Sequence, residues 1–230
     1  MFDWDVLLPD FWSILDAVPV TLAMALTIFV FSTLVGGLFA LIEHRRIPVL
    51  RQFVTGYKVV FKGVPMVVAI FLAYYGLPPA LHFVAGLFGV EVNGHSLPNW
   101  VIIVVALSAC VAAFQAEVVK GALNSFDSGQ SDAAHSLGYS NGQLFRRVLF
   151  PQIIVSAIPD LANSFMVIMK ALSLAFAIEV VDIFAQAQLT AALNFYYLEA
   201  FILAALFYMV IAYVVTKIAD VLEARLRIRT

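Results

Sequence analysis

Five long apolar runs dominate this sequence and limit the folds that the chain can adopt. A helix that crosses a lipid bilayer needs roughly 20 mostly apolar residues. Charged residues make up only 12% of the 230 residues, whereas a soluble domain averages about 25%. We therefore predict an all-α, polytopic membrane protein that forms a single transmembrane domain over residues 1–230. Its five or so transmembrane helices are expected at residues 17–42, 59–77, 100–119, 159–181 and 198–216.

The positive charges are distributed very unevenly among the segments between these runs. Of the 13 Lys and Arg residues, five follow the first run, three lie between the third and fourth, and four lie after the fifth. The segments 1–16, 78–99 and 182–197 contain none. Because cytoplasmic loops hold the excess of Lys and Arg, we predict an external N-terminal segment and a cytoplasmic tail, 217–230, in a plasma or inner membrane. Only Lys170 lies outside this scheme.

Composition removes several classes of function. A net charge of −2 does not favour a nucleic-acid partner. The single cysteine, Cys110, excludes an internal disulfide and a cysteine-based metal site. The four His residues show no ligand spacing, so we predict no metal site. The sequence also lacks a Gly-x4-Gly-Lys-Ser/Thr loop, which in other proteins cradles nucleotide phosphates.

A polar segment, SDAAHSLGYSNGQLFRRVLFPQ at residues 131–152, stands out between the third and fourth apolar runs. Ala133, Ala134 and Leu137 recur at helical spacing on one face. Gly138 follows, and glycine suits the left-handed backbone position at which many helices end. These residues predict a short cytoplasmic helix that ends at a tight turn.

The second half of the polar segment carries the start signals of another helix. Ser140, followed three residues later by Gln143, has the spacing of a capping box. Pro151 is expected to stop or bend this helix, because proline lacks the backbone N–H that a helix interior needs. The whole segment is then a helix, a turn and a helix that present a surface. An alternative is an amphipathic connector that lies on the membrane, with Arg146 and Arg147 toward anionic headgroups.

The spacing of this segment resembles the EAA loop of ABC importer permeases. That family pattern is Glu-Ala-Ala, three residues, Gly, nine residues, Ile, any residue, then Leu-Pro. Here Asp-Ala-Ala at 132–134 precedes Gly138 by the same interval, and Val148, Phe150 and Pro151 take the last three positions. Three substitutions, Asp for Glu, Val for Ile and Phe for Leu, keep the chemical type of each side chain.

The chain is most similar to permeases for polar amino acids, from about residue 18 to residue 226. Segments that carry this resemblance are VPVTLAMAL, FKGVPMVVAIFLAYYGLP, FQAEVVKGALNSFDSGQSDAAHSLG, FRRVLFPQ and MKALSLAFAIEV. There are two departures. Val64 stands where the family usually has Thr between Gly and Pro, and Ala171 stands where it often has Asp or Asn. The second change removes a polar side chain beside the expected solute contacts.

The resemblance implies a type I importer half for an amino acid, working by alternating access. A second permease subunit, either a copy of this chain or a related chain, would complete the pathway. A cytoplasmic ABC ATPase dimer would hold ATP and Mg, so this chain itself is expected to be neither an enzyme nor a cofactor carrier. An external solute-binding protein would deliver the ligand. The loop 125–152 would couple to the ATPase through Asp132, Ala133, Ala134, Leu137, Gly138 and Ser140.

Lys170 is the most informative polar residue inside a predicted span. A lysine at the centre of a membrane helix costs about 2.5 to 3.5 kcal/mol on insertion scales, so we expect it to face a polar cavity or a partner. Glu117 is one candidate partner, although Glu117 can equally pair with Lys120. Lys170 then belongs to a solute site or gate, to a structural ion pair, or to a contact between subunits. The predicted pathway residues are Lys170, Ser173, Glu117, Gln115 and Asn163, and the predicted gate or hinge residues are Gly63 and Pro65.

Two other classes of function remain open from the residues alone. One is a stand-alone secondary transporter or channel that uses Glu117 and Lys170 as a charge relay. The other is an intramembrane enzyme, although no nucleophile and base occur at suggestive spacing. The outer connection 182–197 is half polar. It is expected either to cover the outer mouth of a pathway or only to tie two helices together.

Overall fold

The computed structural model describes residues 6–90, 97–124 and 128–227, and every regular element in that part of the chain is helical. A π-helical turn, Phe145–Leu149, joins α7 to α8, and a 3-10 helix, Ser173–Ile178, follows α8. The α-helices are α1 (Leu7–Leu15), α2 (Val18–His44), α3 (Pro48–Gly63), α4 (Met66–Leu87), α5 (Asn99–Asn124), α6 (Ser128–Ser136), α7 (Asn141–Leu144), α8 (Phe150–Leu172), α9 (Ile183–Asn194) and α10 (Tyr197–Arg227).

Within the described residues, five helical stretches are long and apolar enough to cross a membrane. This number confirms the predicted count, and the all-α fold class is confirmed as well. Each stretch contains one of the predicted apolar runs or most of it, but several boundaries differ. The stretches are Leu7–His44, Met66–Leu87, Asn99–Asn124, Asn141–Ile178 and Tyr197–Leu226.

The central pair of helices is α2 and α5, which approach each other closely. A Cβ atom built on Gly36 would lie 2.6 Å from Cβ of Gln115 and 2.8 Å from the backbone N of Ala116. A residue with a side chain therefore does not fit at position 36 without moving a helix. Small residues at such crossings let membrane helices pack through their backbones. The close contact makes α5 the most enclosed of the five spans.

The second predicted span was wrong at both ends. The helix breaks after Gly63, where Val64 has an extended backbone (φ −88°, ψ 129°) and Pro65 caps the next helix. A residue before proline is pushed out of the helical region by the proline ring. Residues 59–63 therefore belong to α3, and α4 starts at Met66. Toward its C-terminal end α4 continues through Pro78 and Pro79, which membrane helices tolerate when neighbouring groups satisfy the freed carbonyls.

The fourth predicted span was also wrong at its start, and Pro151 does not end the helix. Helical structure is continuous from Asn141 to Ile178, and Pro151 occupies the first turn of α8. The preceding π-helical turn explains this outcome, because the N–H of Phe150 donates to the carbonyl of Phe145, five residues back. Such a widened turn is a recognised insertion in α-helices, and it places the proline where a missing N–H costs little.

Two short helices, α1 and α9, are joined to each other by side-chain hydrogen bonds. The amide of Asn194 on α9 donates to both carboxylate oxygens of Asp10 on α1, at 3.0 and 3.2 Å. Ser13 and Thr190 join the same two helices at 3.0 Å. Asp182 caps α9 by accepting from the N–H of Ala185 at 2.9 Å. The connection 182–197 is thus a packed helix, and its role at a pathway mouth stays a prediction.

Candidate functional site

Five charged residues form one network where the ends of α2 and α5 meet α3. Lys58 donates to Oε1 of Glu43 and, at 2.9 Å, to Oε1 of Glu117. Lys62 lies 3.4 Å from the same Glu117 oxygen. Lys120 lies 3.1 Å from the second oxygen of Glu43. Each of the two carboxylates therefore contacts two ammonium groups, and these ion pairs link α2, α3 and α5.

Lys58 is the centre of this network and is only 7% exposed. Burial lowers the pKa of Lys58, but the hydrogen bonds and charges of Glu43 and Glu117 outweigh burial, and the pKa ends above its ordinary value. Lys58 is therefore protonated at neutral pH. A buried charge of this kind is stable only when it is paired and hydrogen-bonded.

Aromatic and apolar contacts fix α3 beside the same network. The hydroxyl of Tyr57 donates to the carbonyl of Ala109 on α5 at 2.7 Å. The Tyr57 ring meets Phe39 of α2 edge to face, with 4.8 Å between the ring centroids. Val54 is fully buried in the same contact. Helix α3 consequently lies across the ends of α2 and α5 as a separate element, and the membrane span that follows it is α4.

Glu117 was predicted to pair with Lys170 or with Lys120, and both pairings are wrong. Its contacts are with Lys58 and Lys62, one turn apart on α3. Lys120, three residues along α5 from Glu117, pairs with Glu43 of another helix. Sequence reasoning missed this because it placed Lys58 in a loop and Lys62 at the end of a span. Their spacing of four residues, next to apolar residues at the same period, was the available signal.

The Gly63–Pro65 break lies between the anchored helix α3 and the span α4. A Cβ on Gly63 would meet no atom within 4 Å, so glycine is not required there by close packing. Lys62, one residue before the break, also lies 5.7 Å over the ring of Phe114. The break is therefore present where a hinge was predicted, immediately after the last residue of the ion network. That it moves stays a prediction.

The remaining predicted pathway residues fall into two groups that no described contact joins. Lys170 and Asn163 are exposed on α8, seven residues apart and hence on one face of the helix. Ser173 donates to the Lys170 carbonyl at 2.7 Å. Within the described ranges Lys170 has no carboxylate within ion-pair distance. Gln115, by contrast, is fully buried against α2, and neither polar atom of its amide has a hydrogen-bond partner there.

An open cavity of about 560 Å³ beside the first half of α2 was not anticipated from the sequence. It lies between the first half of α2, the start of α5 and the segment after the 3-10 helix. Glu179 lines it from a left-handed backbone conformation (φ 62°), and Asn99 holds that segment by donating to the carbonyl of Ile178 at 2.7 Å. An exposed carboxylate and an amide thus stand at this cavity. Glu179 offered no signal beyond its charge.

The predicted helix, turn and helix between the third and fourth spans is confirmed. Helix α6 ends at Ser136 and is followed by a turn at Gly138. The φ of Gly138, 82°, lies in the left-handed region, and its N–H donates to the carbonyl of His135 at 2.9 Å. Ser140 and Gln143 form the predicted capping box, with the Ser140 N–H donating to the Gln143 side chain at 3.0 Å. The side chain of His135 also lies 2.8 Å from that of Asn141 across the turn.

The predicted coupling residues lie together on this hairpin. Leu137 is 79% exposed, and Ala133 and Gly138 are exposed as well, whereas Ala134 is buried. Asp132 belongs to α6 by its backbone, and its side chain lies outside the described part of the structure. Leu137 is thus an exposed apolar side chain at a capped turn, and its role in coupling stays a prediction. In the described residues no three His, Cys, Asp or Glu side chains come together as a metal-binding group.

Residues 46–228 match the family model of the binding-protein-dependent transport system inner membrane component. Over 96% of its length the chain is 36% identical to a probable amino-acid permease protein, YxeN, of Bacillus subtilis (strain 168), and the match covers 94% of that relative. It is 33% identical to a probable amino-acid ABC transporter permease protein, PatM, of Vibrio harveyi, over 98% of this chain and 96% of PatM. An L-cystine transport system permease protein, TcyL, of Bacillus subtilis is 32% identical over 95% of this chain and 89% of TcyL.

Two solved structures share the fold over nearly the whole chain. The crystal structure of an amino acid ABC transporter with histidines gives a TM-score of 0.81 at 25% identity, covering 98% of this chain and 99% of that one. An inward-facing MetNI methionine ABC transporter gives 0.72 at 17% identity, covering 95% and 98%. The ion network, the helix break and the hairpin at Gly138 therefore belong to a transporter fold. The chain is a member of the family of inner-membrane components of binding-protein-dependent transport systems, the permease subunits of ABC importers.

Proposed function

We propose that this permease carries an amino acid and forms half of a translocation pathway by alternating access. The observation that carries the proposal is the capped hairpin at Gly138, which presents Leu137 in a chain that resembles amino-acid permeases over nearly its full length. The named relatives include probable amino-acid and L-cystine permeases, which supports the class of solute. A stand-alone transporter that relies on a charge relay between Glu117 and Lys170 is disfavoured, because Glu117 forms ion pairs with Lys58 and Lys62 of α3.

The proposal includes three partners and an orientation. A cytoplasmic ABC ATPase dimer, holding ATP and Mg, supplies the energy and receives the hairpin in a surface groove. A second permease subunit, a copy of this chain or a related one, completes the pathway. An external solute-binding protein delivers the ligand to the outer end. The distribution of Lys and Arg supports an external N-terminus and a cytoplasmic C-terminus.

The coupling loop 125–152 is proposed to pass motion from the ATPase to α8. Its residues 125–127 lie outside the described part of the structure. Helix α6 and the turn at Gly138 form the contact surface, and the capping box at Ser140 begins a helical stretch that runs without a break to Ile178. A push on the hairpin therefore reaches α8 directly. The contact residues are Asp132, Ala133, Ala134, Leu137, Gly138 and Ser140.

The Gly63–Pro65 break is proposed as the hinge of the gate. Helix α3 is held to α2 and α5 by the ion network. A movement of α4 relative to α3 therefore changes the backbone angles at Val64, the extended residue between them. Extended residues at the junction of two helices are where hinge motions are absorbed. In this arrangement α4 swings while α3 stays with the cytoplasmic ends of its neighbours.

The solute pathway is proposed to run along the face of α8 that carries Lys170 and Asn163. A lysine in a span without a carboxylate neighbour needs a polar environment, and the carboxylate of an amino acid is one such partner. Ser173 lies in the next turn. Gln115 and Glu117 contribute nearer the cytoplasmic end, where Gln115 has unpaired amide groups that a rearranged state can satisfy. The outer cavity beside Glu179 is the proposed point of entry.

Reconstitution into liposomes tests this proposal. The purified permease is inserted alone or with its ATPase and binding protein, and uptake of radiolabelled amino acids is measured with and without ATP. We expect uptake only with all components and ATP. Uptake by the permease alone would establish the stand-alone alternative instead. Gly138→Ala, which strains the left-handed turn, should reduce ATP-driven uptake, whereas Gly142→Ala, at an open position with ordinary φ, is the matched control.

A further inference from the structure

A basic cavity lies at the turn between α2 and α3, away from the ion network and the coupling hairpin. Its volume is about 510 Å³, and its lining residues are Arg46, Pro48, Arg51, Gln52 and Thr55. Arg46 is in a left-handed backbone conformation (φ 53°) at the point where the chain turns from α2 into α3. The hydroxyl of Thr55 bonds back to the carbonyl of Arg51 at 2.9 Å, one turn away on the same face. The cavity thus combines two guanidinium groups with an amide and a hydroxyl.

The arginines at this turn differ from the nearby lysines, because no carboxylate of the described residues pairs with them. Arg45, Arg46 and Arg51 are all exposed, and in the described ranges none lies within ion-pair distance of a carboxylate. The nearest acidic residue along the chain, Glu43, is already occupied by two lysines of the network. The first turn of α3 contains no acidic residue. Positive charge is therefore concentrated at the cavity and left open to an anion from outside the chain.

An apolar face lies beside the basic one on the same helix. Val49 is 77% exposed and Phe53 is 64% exposed, four residues apart on α3. On α2, within the preceding span, Leu34 and Leu38 are exposed at the same helical spacing. A ligand that fits both faces has an anionic head and a hydrocarbon body. A soluble anion matches only the basic face.

We propose that this cavity binds the headgroup of an anionic phospholipid. Arg46 and Arg51 hold the phosphate, because a guanidinium matches phosphate oxygens with two parallel donors. Gln52 and Thr55 bond to the rest of the headgroup, and the acyl chains lie along Val49 and Phe53 toward α2. Basic pockets near the cytoplasmic ends of membrane helices bind anionic lipid headgroups in this way. The inference goes beyond the proposed function and uses only its orientation, to assign the lipid to the cytoplasmic leaflet.

Lipid retention measured by native mass spectrometry tests the site. The full-length permease in detergent is mixed with equal amounts of phosphatidylglycerol and phosphatidylcholine that have identical acyl chains. We expect the wild type to retain one phosphatidylglycerol in preference to phosphatidylcholine. Arg46→Gln with Arg51→Gln should weaken that retention about thirtyfold, with each arginine contributing roughly fivefold. Lys217→Gln with Arg225→Gln, two exposed basic residues on α10, is the matched control and should retain the lipid.

Two further arms separate the lipid from other anions and from a folding defect. Phe53→Ala should weaken retention, and excess inorganic phosphate should not displace the lipid, because the acyl chains contribute to binding. The pair Arg46→Lys and Arg51→Lys keeps the charge and should lose less than the Gln pair, a distinction that unfolding would not produce.

Three results would overturn the proposal. Equal loss of phosphatidylglycerol retention in the Gln pair and in the α10 control would mean that the lipid binds anywhere on the basic surface and not at this cavity. Displacement by inorganic phosphate, with no effect of Phe53→Ala, would mean a site for a free anion. Unchanged lipid retention together with loss of the co-purifying ATPase would mean that the arginines face a protein.

Discussion

Lys58 and Lys170 both carry a positive charge on the helices of this membrane protein, and their surroundings are opposite. Lys58 is buried between α2, α3 and α5 and contacts two carboxylates. Lys170 is exposed near the end of α8, and in the part of the chain that the structure describes no carboxylate pairs with it. This difference in pairing suggests different roles for the two lysines. A lysine whose partners come from the same chain holds helices together, and a lysine without them is available to a solute or another subunit.

The strongest challenge to this comparison is removal of the Lys58 charge. Lys58→Met should lower the free energy of unfolding by about 3 to 5 kcal/mol, because it leaves the buried Glu43 carboxylate without its closest partner. Unfolding of the purified permease by a denaturing detergent measures the loss. Lys62→Met is the control, since Lys62 is more exposed and contacts Glu117 at 3.4 Å, and it should cost much less. Equal costs for both variants would mean that burial of Lys58 is unimportant.

A smaller loss is expected when the helices that carry the two glutamates are forced apart. Gly36→Ala places a Cβ 2.8 Å from the backbone N of Ala116, so α2 and α5 must separate. Overpacking of this kind costs about 1 to 3 kcal/mol. Gly37→Ala, whose Cβ would meet no atom within 4 Å, is the matched control in the same unfolding measurement. If both alanines cost the same, the close α2–α5 contact does not hold the network together.

The other half of the comparison predicts a change in transport with no loss of stability. Lys170→Met should leave the unfolding curve unchanged, because no described contact depends on the ammonium group. It should reduce ATP-driven amino-acid uptake about tenfold or more, as expected for a lost hydrogen bond to a charged group. Lys170→Arg keeps the charge and should retain part of the uptake. A marked loss of stability in Lys170→Met would assign this lysine to a structural contact instead.

The smallest effect is expected from pH. Because its pKa is raised on folding, Lys58 contributes its stabilisation fully below the unfolded value of about 10.4 and loses it only as pH rises through the higher folded value. The stability difference between wild type and Lys58→Met should therefore be constant between roughly pH 6 and pH 9. Unfolding curves at several pH values measure it. A difference that shrinks within this range would mean that Lys58 is not protonated in the network.

The helix, turn and helix around Gly138 were predictable because their signals are local. Gly138 marks a left-handed turn, and Ser140 with Gln143 marks a helix start, whatever the rest of the chain does. The errors at Val64 and Pro151 have a different origin. At Val64 a hydropathy window joined two helices across a break, and at Pro151 a π-helical turn accommodated a proline that by itself predicts a stop. The break at Val64 follows from the proline after it, a local signal that the apolar run concealed. The turn before Pro151 depends on backbone geometry that residue type alone does not specify.

The sequence by itself determined the helical fold class, the number of spans and the helix-turn-helix hairpin. These follow from hydrophobicity and from hydrogen bonds between residues a few positions apart, which act within one segment. Only the tertiary structure decided that Lys58 pairs with Glu43 and Glu117 and that α3 lies across the ends of α2 and α5. It also decided that, among the described residues, no carboxylate pairs with Arg45, Arg46 or Arg51. Charge pairing acts over a few ångströms in space, and residues 15 and 59 positions apart meet at Lys58 only after the helices have packed.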